Sequence, residues 1–314
     1  MLKLIQNEWM KLWSRKSSWI MIILLAVILF SSSAITKWVD NSMNTANTET
    51  WQQLEAAEMA NNLILLENNS LGDVRREYLE GEVAIAEHRL ENDVAPFDSN
   101  SMQQSVIDSH ALMSLVTLFT VIVAGGIVAA EFSQGTIKML LTRPVKRWKI
   151  LSSKFITTML YALLLAVVLF IVTAVAGLIF YGVSDGTYLV WNGSEVVEGS
   201  FWLEGLRLAA LSFVNVLMIS TFAFMLGTAF RSSSLAIGLS IFLLFTGVQA
   251  VFLLANYEIV KYYLFTHTDL TQYYTGFMLV DDITMTLSVI VLFVYFVIFM
   301  AISYVTFGKR DVTA

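Results

Sequence analysis

The sequence predicts an all-α integral membrane protein of six transmembrane helices with both ends on the cytoplasmic side. Of 314 residues, 57% are hydrophobic and only 14% charged, and the mean hydropathy is +0.68. A soluble chain of this length needs more charge to cover its surface. Six stretches reach the roughly 20 apolar residues that cross a hydrocarbon core: 17–36, 111–130, 155–181, 206–230, 233–255 and 283–307. Their apolar residues run all round instead of alternating, which argues for helices and against the strands of an outer-membrane barrel.

Charge sets the expected orientation. Residues 1–16, 131–154, Arg231 and 308–314 together hold 13 of the 19 Lys/Arg and only three acids, Glu8, Glu131 and Asp311. The other 22 acids and six basic residues fall in the remaining segments. The positive-inside rule places the basic segments in the cytoplasm, and an even number of spans agrees. The net charge of −6 then describes an outer face rather than an affinity for basic partners. Nothing points to nucleic acid.

Residues 1–16 read as an amphipathic helix lying on the membrane: Leu2, Ile5, Trp9, Leu12 and Trp13 share one face, with Lys3, Asn7, Lys11 and Ser14 away from it. The competing reading is a cytoplasmic extension of the first span. That span, 17–36, is longer than a signal-peptide core and is expected to be retained. Residues 37–110 form the one large water-exposed segment. Within it 50–67 and 71–92 look helical, with Asn68-Asn69-Ser70 between them and Pro96 after them, and Leu54, Ala57, Leu65, Val74, Tyr78 and Val83 offer a narrow seam. An extracellular helical hairpin is expected. Its role is open between gating, partner contact and packing on another protomer.

Span 111–130 leads into a basic loop, 131–154, and then span 155–181. Residues 182–205, acidic and Gly-rich, read as an outer loop before spans 206–230 and 233–255. Residues 256–282 carry Tyr257, Tyr262, Tyr263, Phe265, Tyr273, Tyr274 and Phe277. They are too polar to span and too apolar to float, so short helices dipping into the outer leaflet are expected. Span 283–307 and a cytoplasmic tail, 308–314, complete the chain.

Several chemistries have no residues to carry them. There is no cysteine, hence no disulfide or thiolate metal site. No P-loop, H-E-x-x-H or G-x-S-x-G pattern occurs, and no catalytic, cofactor-binding or metal-ligating set is visible. The three histidines, His88, His110 and His267, read as isolated surface or interfacial residues. The spans hold almost no ionisable group at depth, which disfavours ion-driven transport. Asn215, Ser220, Ser240 and Gln249, with Thr221 and Thr246, are the polar groups available. They either line a substrate path or hydrogen-bond neighbouring helices.

The loop 131–154 carries six Lys/Arg and one acid. Charge alone is consistent with a topology signal. Its pattern is more specific: Glu131, Gly135, Thr136, Ile137, Lys138, Leu140, Leu141, Pro144 and Arg147 resemble the cytoplasmic loop of the membrane subunits of ABC-2 type ABC transporters. Arg143-Pro144 turns the chain, because the residue before proline leaves the helical region. Arg143 comes close to Arg147 if that turn is tight.

The layout is also similar along the whole chain, and the long first outer segment resembles the subgroup linked to export of peptides, antibiotics or sodium. The resemblance implies a permease subunit without its own ATPase site, in a bacterial cytoplasmic membrane, exporting a hydrophobic or amphipathic substrate. It implies a coupling helix in 131–154, with Glu131, Gly135, Thr136, Lys138, Leu140, Leu141, Arg143, Pro144 and Arg147 at the ATPase contact. It further implies a separate ABC ATPase that binds ATP and Mg, and a second permease protomer, identical or related. The alternatives are a membrane sensor or scaffold that recruits a cytoplasmic partner, and an intramembrane enzyme.

Overall fold

The computed structural model describes residues 1–42, 50–68, 71–133, 135–136, 145–230, 232–280 and 283–309. Helix α1 (Leu2–Trp13) precedes α2 (Lys16–Ser42), the first candidate span. Helices α3 (Trp51–Leu66) and α4 (Asp73–Asn92) follow, then α5 (Met102–Asp108), a 3-10 turn (Ser109–Leu112) and α6 (Met113–Ser133). Helix α7 (Arg147–Phe180) leads to a two-stranded ribbon, β1 (Leu189–Trp191) and β2 (Val196–Glu198). Helices α8 (Phe201–Ala229) and α9 (Ser233–Leu254) come next. A 3-10 turn (Glu258–Tyr262), α10 (Leu264–His267), α11 (Gln272–Thr275) and α12 (Met285–Lys309) complete the described chain. Six helical stretches are long and apolar enough to cross a membrane, at the six places expected.

Lipid explains why the segments inside it are helical: a backbone group there finds no water and must be paired within its own segment. Helices α6 and α8 form the centre. The most apolar window of α8 is 61% buried, against 11% for α2 and 17% for α9 and α12. At one crossing the two central backbones touch, and a Cβ on Gly227 would stand 2.5 Å from the Gly125 carbonyl oxygen. A small residue at this contact is what close helix packing in lipid requires. The outer helices turn Ile23, Val27, Leu163, Ile171, Phe242 and Phe293 outward. Acyl chains are as apolar as these side chains, so their exposure to lipid carries no penalty.

Three spans start earlier than the hydropathy pattern indicates, the fourth by about one turn and a half, at Phe201. The second begins with α5 at Met102, whose polar residues mask its burial: Gln103 donates from Nε2 to the Ser184 carbonyl at 2.7 Å and accepts from the Ser184 amide at 3.1 Å. The third begins at Arg147, so α7 has 34 residues and is about 51 Å long. It therefore carries Lys154 inside a helix rather than in a loop.

At one end of the bundle, called here the hairpin end, α3 and α4 lie side by side. Glu55 and Arg89 pair across them at 3.7 Å. Arg89 also donates to the carbonyls of Val94 (3.3 Å) and Thr187 (3.0 Å). The expected seam is only partly used. Leu54 is exposed, and the buried side is Leu79, Val83 and Ala86 of α4. Segment 182–205 is not wholly loop: its ribbon pairs Leu189 with Glu198 and Trp191 with Val196. Asn192 closes the turn, its Oδ1 accepting from the amides of Ser194 and Glu195, both at 3.0 Å. Arg207, at the start of the fourth span, pairs with Glu204 at 2.7 Å and lies 4.2 Å over the Tyr274 ring.

Candidate functional site

At the opposite, basic end, four charged side chains from three helices converge. Helix α1 supplies Glu8 and Lys11, three residues apart and so on one face. The last turn of α6 supplies Glu131, and the early part of α7 supplies Lys154. Lys154 Nζ donates to Glu8 Oε2 at 2.8 Å and to Glu131 Oε1 at 3.0 Å. Lys11 Nζ reaches Glu8 Oε1 and Glu131 Oε1, both at 3.3 Å. The Thr136 hydroxyl donates to Glu131 Oε2. The Lys154 side chain is 1% exposed, those of Glu8 and Glu131 7% and 9%, and that of Lys11 42%.

Two carboxylates and two ammonium groups sum to zero, which is the condition for burying charge without a large desolvation cost. The members are unequal. Removing a partner from a buried pair costs about 3–5 kcal/mol, because the other charge is left unpaired. An exposed pair is worth about 1 kcal/mol or less. Lys154 therefore holds the node together, and Lys11 screens its rim.

Helix α1 is fixed to α2 by short bonds through the turn between them: Ser18 Oγ donates to the Leu12 carbonyl at 2.7 Å, and Trp19 Nε1 to the Trp13 carbonyl at 3.2 Å. Trp13 packs edge-on against Trp9 and Trp19, with centroids 5.6 and 4.7 Å away. Glu8 is buried, whereas Leu2 is 83% exposed. Leu12 is buried as well, with Trp9 packed against the same core, so α1 turns a mixed face, apolar and charged, toward the protein.

Of the expected coupling residues, Glu131, Gly135, Thr136 and Arg147 are described, and the structure brings Glu131 and Thr136 together. Gly135 has φ +70° with open space around it. A left-handed backbone is natural for glycine and strained for other residues, whatever room surrounds the side chain. Arg147 engages the far end of the chain, donating from Nη1 to the Gly308 carbonyl at 2.9 Å. That carbonyl lies in the last turn of α12, where carbonyls lack helical partners and a cation is favourable. Ser152 and Tyr304 hydroxyls at 2.7 Å, and Phe132 edge-on to Phe307 at 6.5 Å, complete this latch. Lys138, Leu140, Leu141, Arg143 and Pro144 lie outside the described residues.

The polar residues expected along the spans do not form one group. Ser240 donates back to the Ala236 carbonyl at 2.7 Å. Ser220 is fully buried, its hydroxyl without a protein partner. Gln249 lies on an exposed face of α9. Asn215 borders cavities toward the hairpin end, and its buried Oδ1 has no partner.

His267, expected at a surface, is fully buried. Its Nε2 lies 2.9 Å from the Lys261 carbonyl and its Nδ1 2.7 Å from Ser288 Oγ. A carbonyl only accepts, so Nε2 carries the proton and Nδ1 accepts from Ser288. Tyr273 in turn meets Ser288 Oγ at 2.5 Å. Burial lowers the His267 pKa from its ordinary value, which keeps the ring neutral. Among the described residues no three His, Cys, Asp or Glu side chains are grouped to hold a metal ion.

Sequence reasoning missed Glu8 and Lys154. The available sign was a single acid in an otherwise basic N-terminal helix, and a lysine immediately before a long apolar run.

Residues 91–313 match the family described as a protein of unknown function, DUF2705. The chain is 38% identical over 317 residues to the uncharacterized protein YhcI of Bacillus subtilis (strain 168), covering 99% of each. It is 32% identical over 208 residues to the uncharacterized membrane protein YdbK of the same organism, covering 64% of this chain and 80% of the relative. With a family match over most of its length and six apolar helices, this chain is a multi-pass membrane protein and belongs to the DUF2705 family.

Proposed function

We propose that this protein is the membrane-spanning permease subunit of an ATP-driven ABC-2 type transporter. It exports a hydrophobic or amphipathic substrate, and a separate ATPase supplies the energy. The basic end is cytoplasmic, with both termini inside, and the membrane is a bacterial cytoplasmic membrane. Two protomers, identical or related, share the substrate path, and each docks an ABC ATPase that binds ATP and Mg.

The observation that carries this reading is where the 131–154 loop is anchored. Its first residue, Glu131, lies in the last turn of α6 and is ion-paired to α1 and α7. The helix after it begins with Arg147, which is bonded to the end of α12. A force applied to such a loop is delivered to four helices at once, as a coupling element requires. A loop that served only to fix topology would need positive charge and none of these connections.

The test is a mild-detergent pull-down of the tagged protein, wild type beside Gly135→Pro/Arg147→Glu, with mass spectrometry of the co-purifying chains. A P-loop ATPase that accompanies wild type and is lost from the variant supports the reading. Its absence from both, with the protein folded, replaces this reading with that of a sensor or scaffold.

A further inference from the structure

Two cavities, of about 380 and about 230 Å³, share Asn215 and Asp269 in their walls. The larger lies among the start of α6, α8 and α9 and the smaller between α8 and α9, both bordered by the segment that carries α10 and α11. Phe265 of that segment packs over Gly247 of α9, where a Cβ would collide with the ring, so the segment reaches below the end of α9.

Few free donors border this space: the hydroxyls of Ser114, Thr117, Thr268 and Thr275 are given to backbone carbonyls, that of Thr271 to Asp269, and His110 Nδ1 meets the Ile107 carbonyl. Asn215 Oδ1 is buried without a partner. Gln272 is 3% exposed; its Nε2 donates to the Thr266 carbonyl at 3.1 Å, and its Oε1 is left without a partner. Asp269 accepts at one oxygen from the Thr271 amide and hydroxyl, at 3.0 and 2.5 Å. Among the described residues no cation forms an ion pair with it. Neither wall contains a Lys or Arg.

We propose that this space binds the head and body of an amphipathic organic cation, a protonated amine on an apolar chain. Buried acceptors without partners are costly, and a ligand that donates to them removes the cost. One carboxylate selects a positive charge. The other walls, Phe252, Phe265, Val248 and Leu279, suit an apolar body, and a ring face also attracts a cation. A calcium or magnesium ion fits poorly, because it requires about six or more oxygens in a compact cage. The assignment as a substrate site rests on the permease reading; the binding itself does not.

The probe is octylammonium chloride, titrated calorimetrically into the full chain in lipid nanodiscs, with octanol as the neutral analogue of the same body. Wild type should bind one octylammonium per chain, and octanol about tenfold or more weaker, since hydrogen bonds to a charged group are the stronger ones. Asp269→Asn should weaken octylammonium by about tenfold or more. Asp269 is exposed, and an unchanged melting profile of this variant shows that the fold is kept. Asn215→Ala should weaken binding by a smaller factor. Equal affinity for octanol, no effect of Asp269→Asn, no octylammonium binding, or saturation by sodium chloride alone with octylammonium excluded would each overturn the proposal. Octylammonium binding without any co-purifying ATPase leaves the site standing and removes the permease reading. An ATPase without octylammonium binding does the reverse.

Discussion

Two clusters of charge, one at each end of the bundle, are built on opposite rules. At the basic end Glu8, Glu131, Lys11 and Lys154 balance to zero, and the most buried member is a lysine. At the hairpin end Glu55, Glu58 and Glu82 gather around Arg89, so acid is in excess. Balance lets a charge be taken out of water, because each desolvated group finds its opposite within hydrogen-bond distance. Excess acid leaves a residue of repulsion that only protonation can relieve. The first arrangement suits a fixed joint and the second a surface that responds to its surroundings.

The largest effect is expected from unbalancing the joint. Lys154→Met removes the buried ammonium and leaves two carboxylates sharing the partly exposed Lys11. The loss should be about 3–5 kcal/mol, read as a large drop in thermal stability in lipid nanodiscs. Adding Glu8→Gln restores neutrality as a Glu131–Lys11 pair and should recover more than half of that loss. A single variant as stable as wild type, or a double variant no better than the single, would show that balance is not what holds the node.

The sequence shows part of this architecture clearly. Lipid permits only helices and closed barrels, and the apolar runs do not alternate, so six runs were readable as six spans, and Glu131 was readable from its place at the end of one. Glu8 and Lys154 were not. The partners of Lys154 lie 146 and 23 residues away, Glu8 has only Lys11 close in sequence, and a lone acid or lysine beside an apolar run resembles an ordinary interfacial residue. Helix α5 was hidden for a related reason: Gln103 and Ser184 satisfy each other across the fold, so a polar residue became a buried one. The ribbon carried a local sign, Asn192-Gly193, a hairpin-turn pair, inside a stretch whose acids and glycines read as loop. His267 looked peripheral because the groups that bury it, Ser288 and the Lys261 carbonyl, are supplied by the folded segment around it.

A smaller effect is expected where the loop meets the node. Thr136→Val removes one hydroxyl donor to Glu131 Oε2 and keeps the shape. It should cost about 1–2 kcal/mol, between a neutral hydrogen bond and one to a charged group. Lys11→Ala should cost less than about 1 kcal/mol, because its pairs are exposed and screened by solvent. Measured together in nanodiscs, the order Lys154, Thr136, Lys11 sharpens the claim that burial, not the count of ion pairs, sets each member's weight. A Lys11 loss equal to that of Lys154 would break it.

The hairpin end gives the mildest and most distinctive test. Burial, followed by the Arg89 charge that opposes it and the Glu58 charge that adds to it, raises the Glu55 pKa from 4.5. Burial, then the Glu58 and Glu55 charges, raises that of Glu82. A carboxyl whose pKa is higher in the folded state binds more protons there than when opened. The sign of the linkage is then negative: stability falls as pH rises through the interval between 4.5 and the raised values, and is regained on acidification.

Amides of α3 and α4, corrected for intrinsic exchange, should therefore exchange more slowly at pH 5 than at pH 7. Glu58→Gln should flatten the difference by removing a charge that raises both groups. The node provides the internal contrast, since amides near Glu8 and Lys154 belong to a neutral cluster with no excess acid to relieve. Slower exchange of α3 and α4 at pH 7 than at pH 5 would mean that the pairing of Glu55 with Arg89 outweighs the surplus acid. The two ends of the molecule would then follow one rule instead of two.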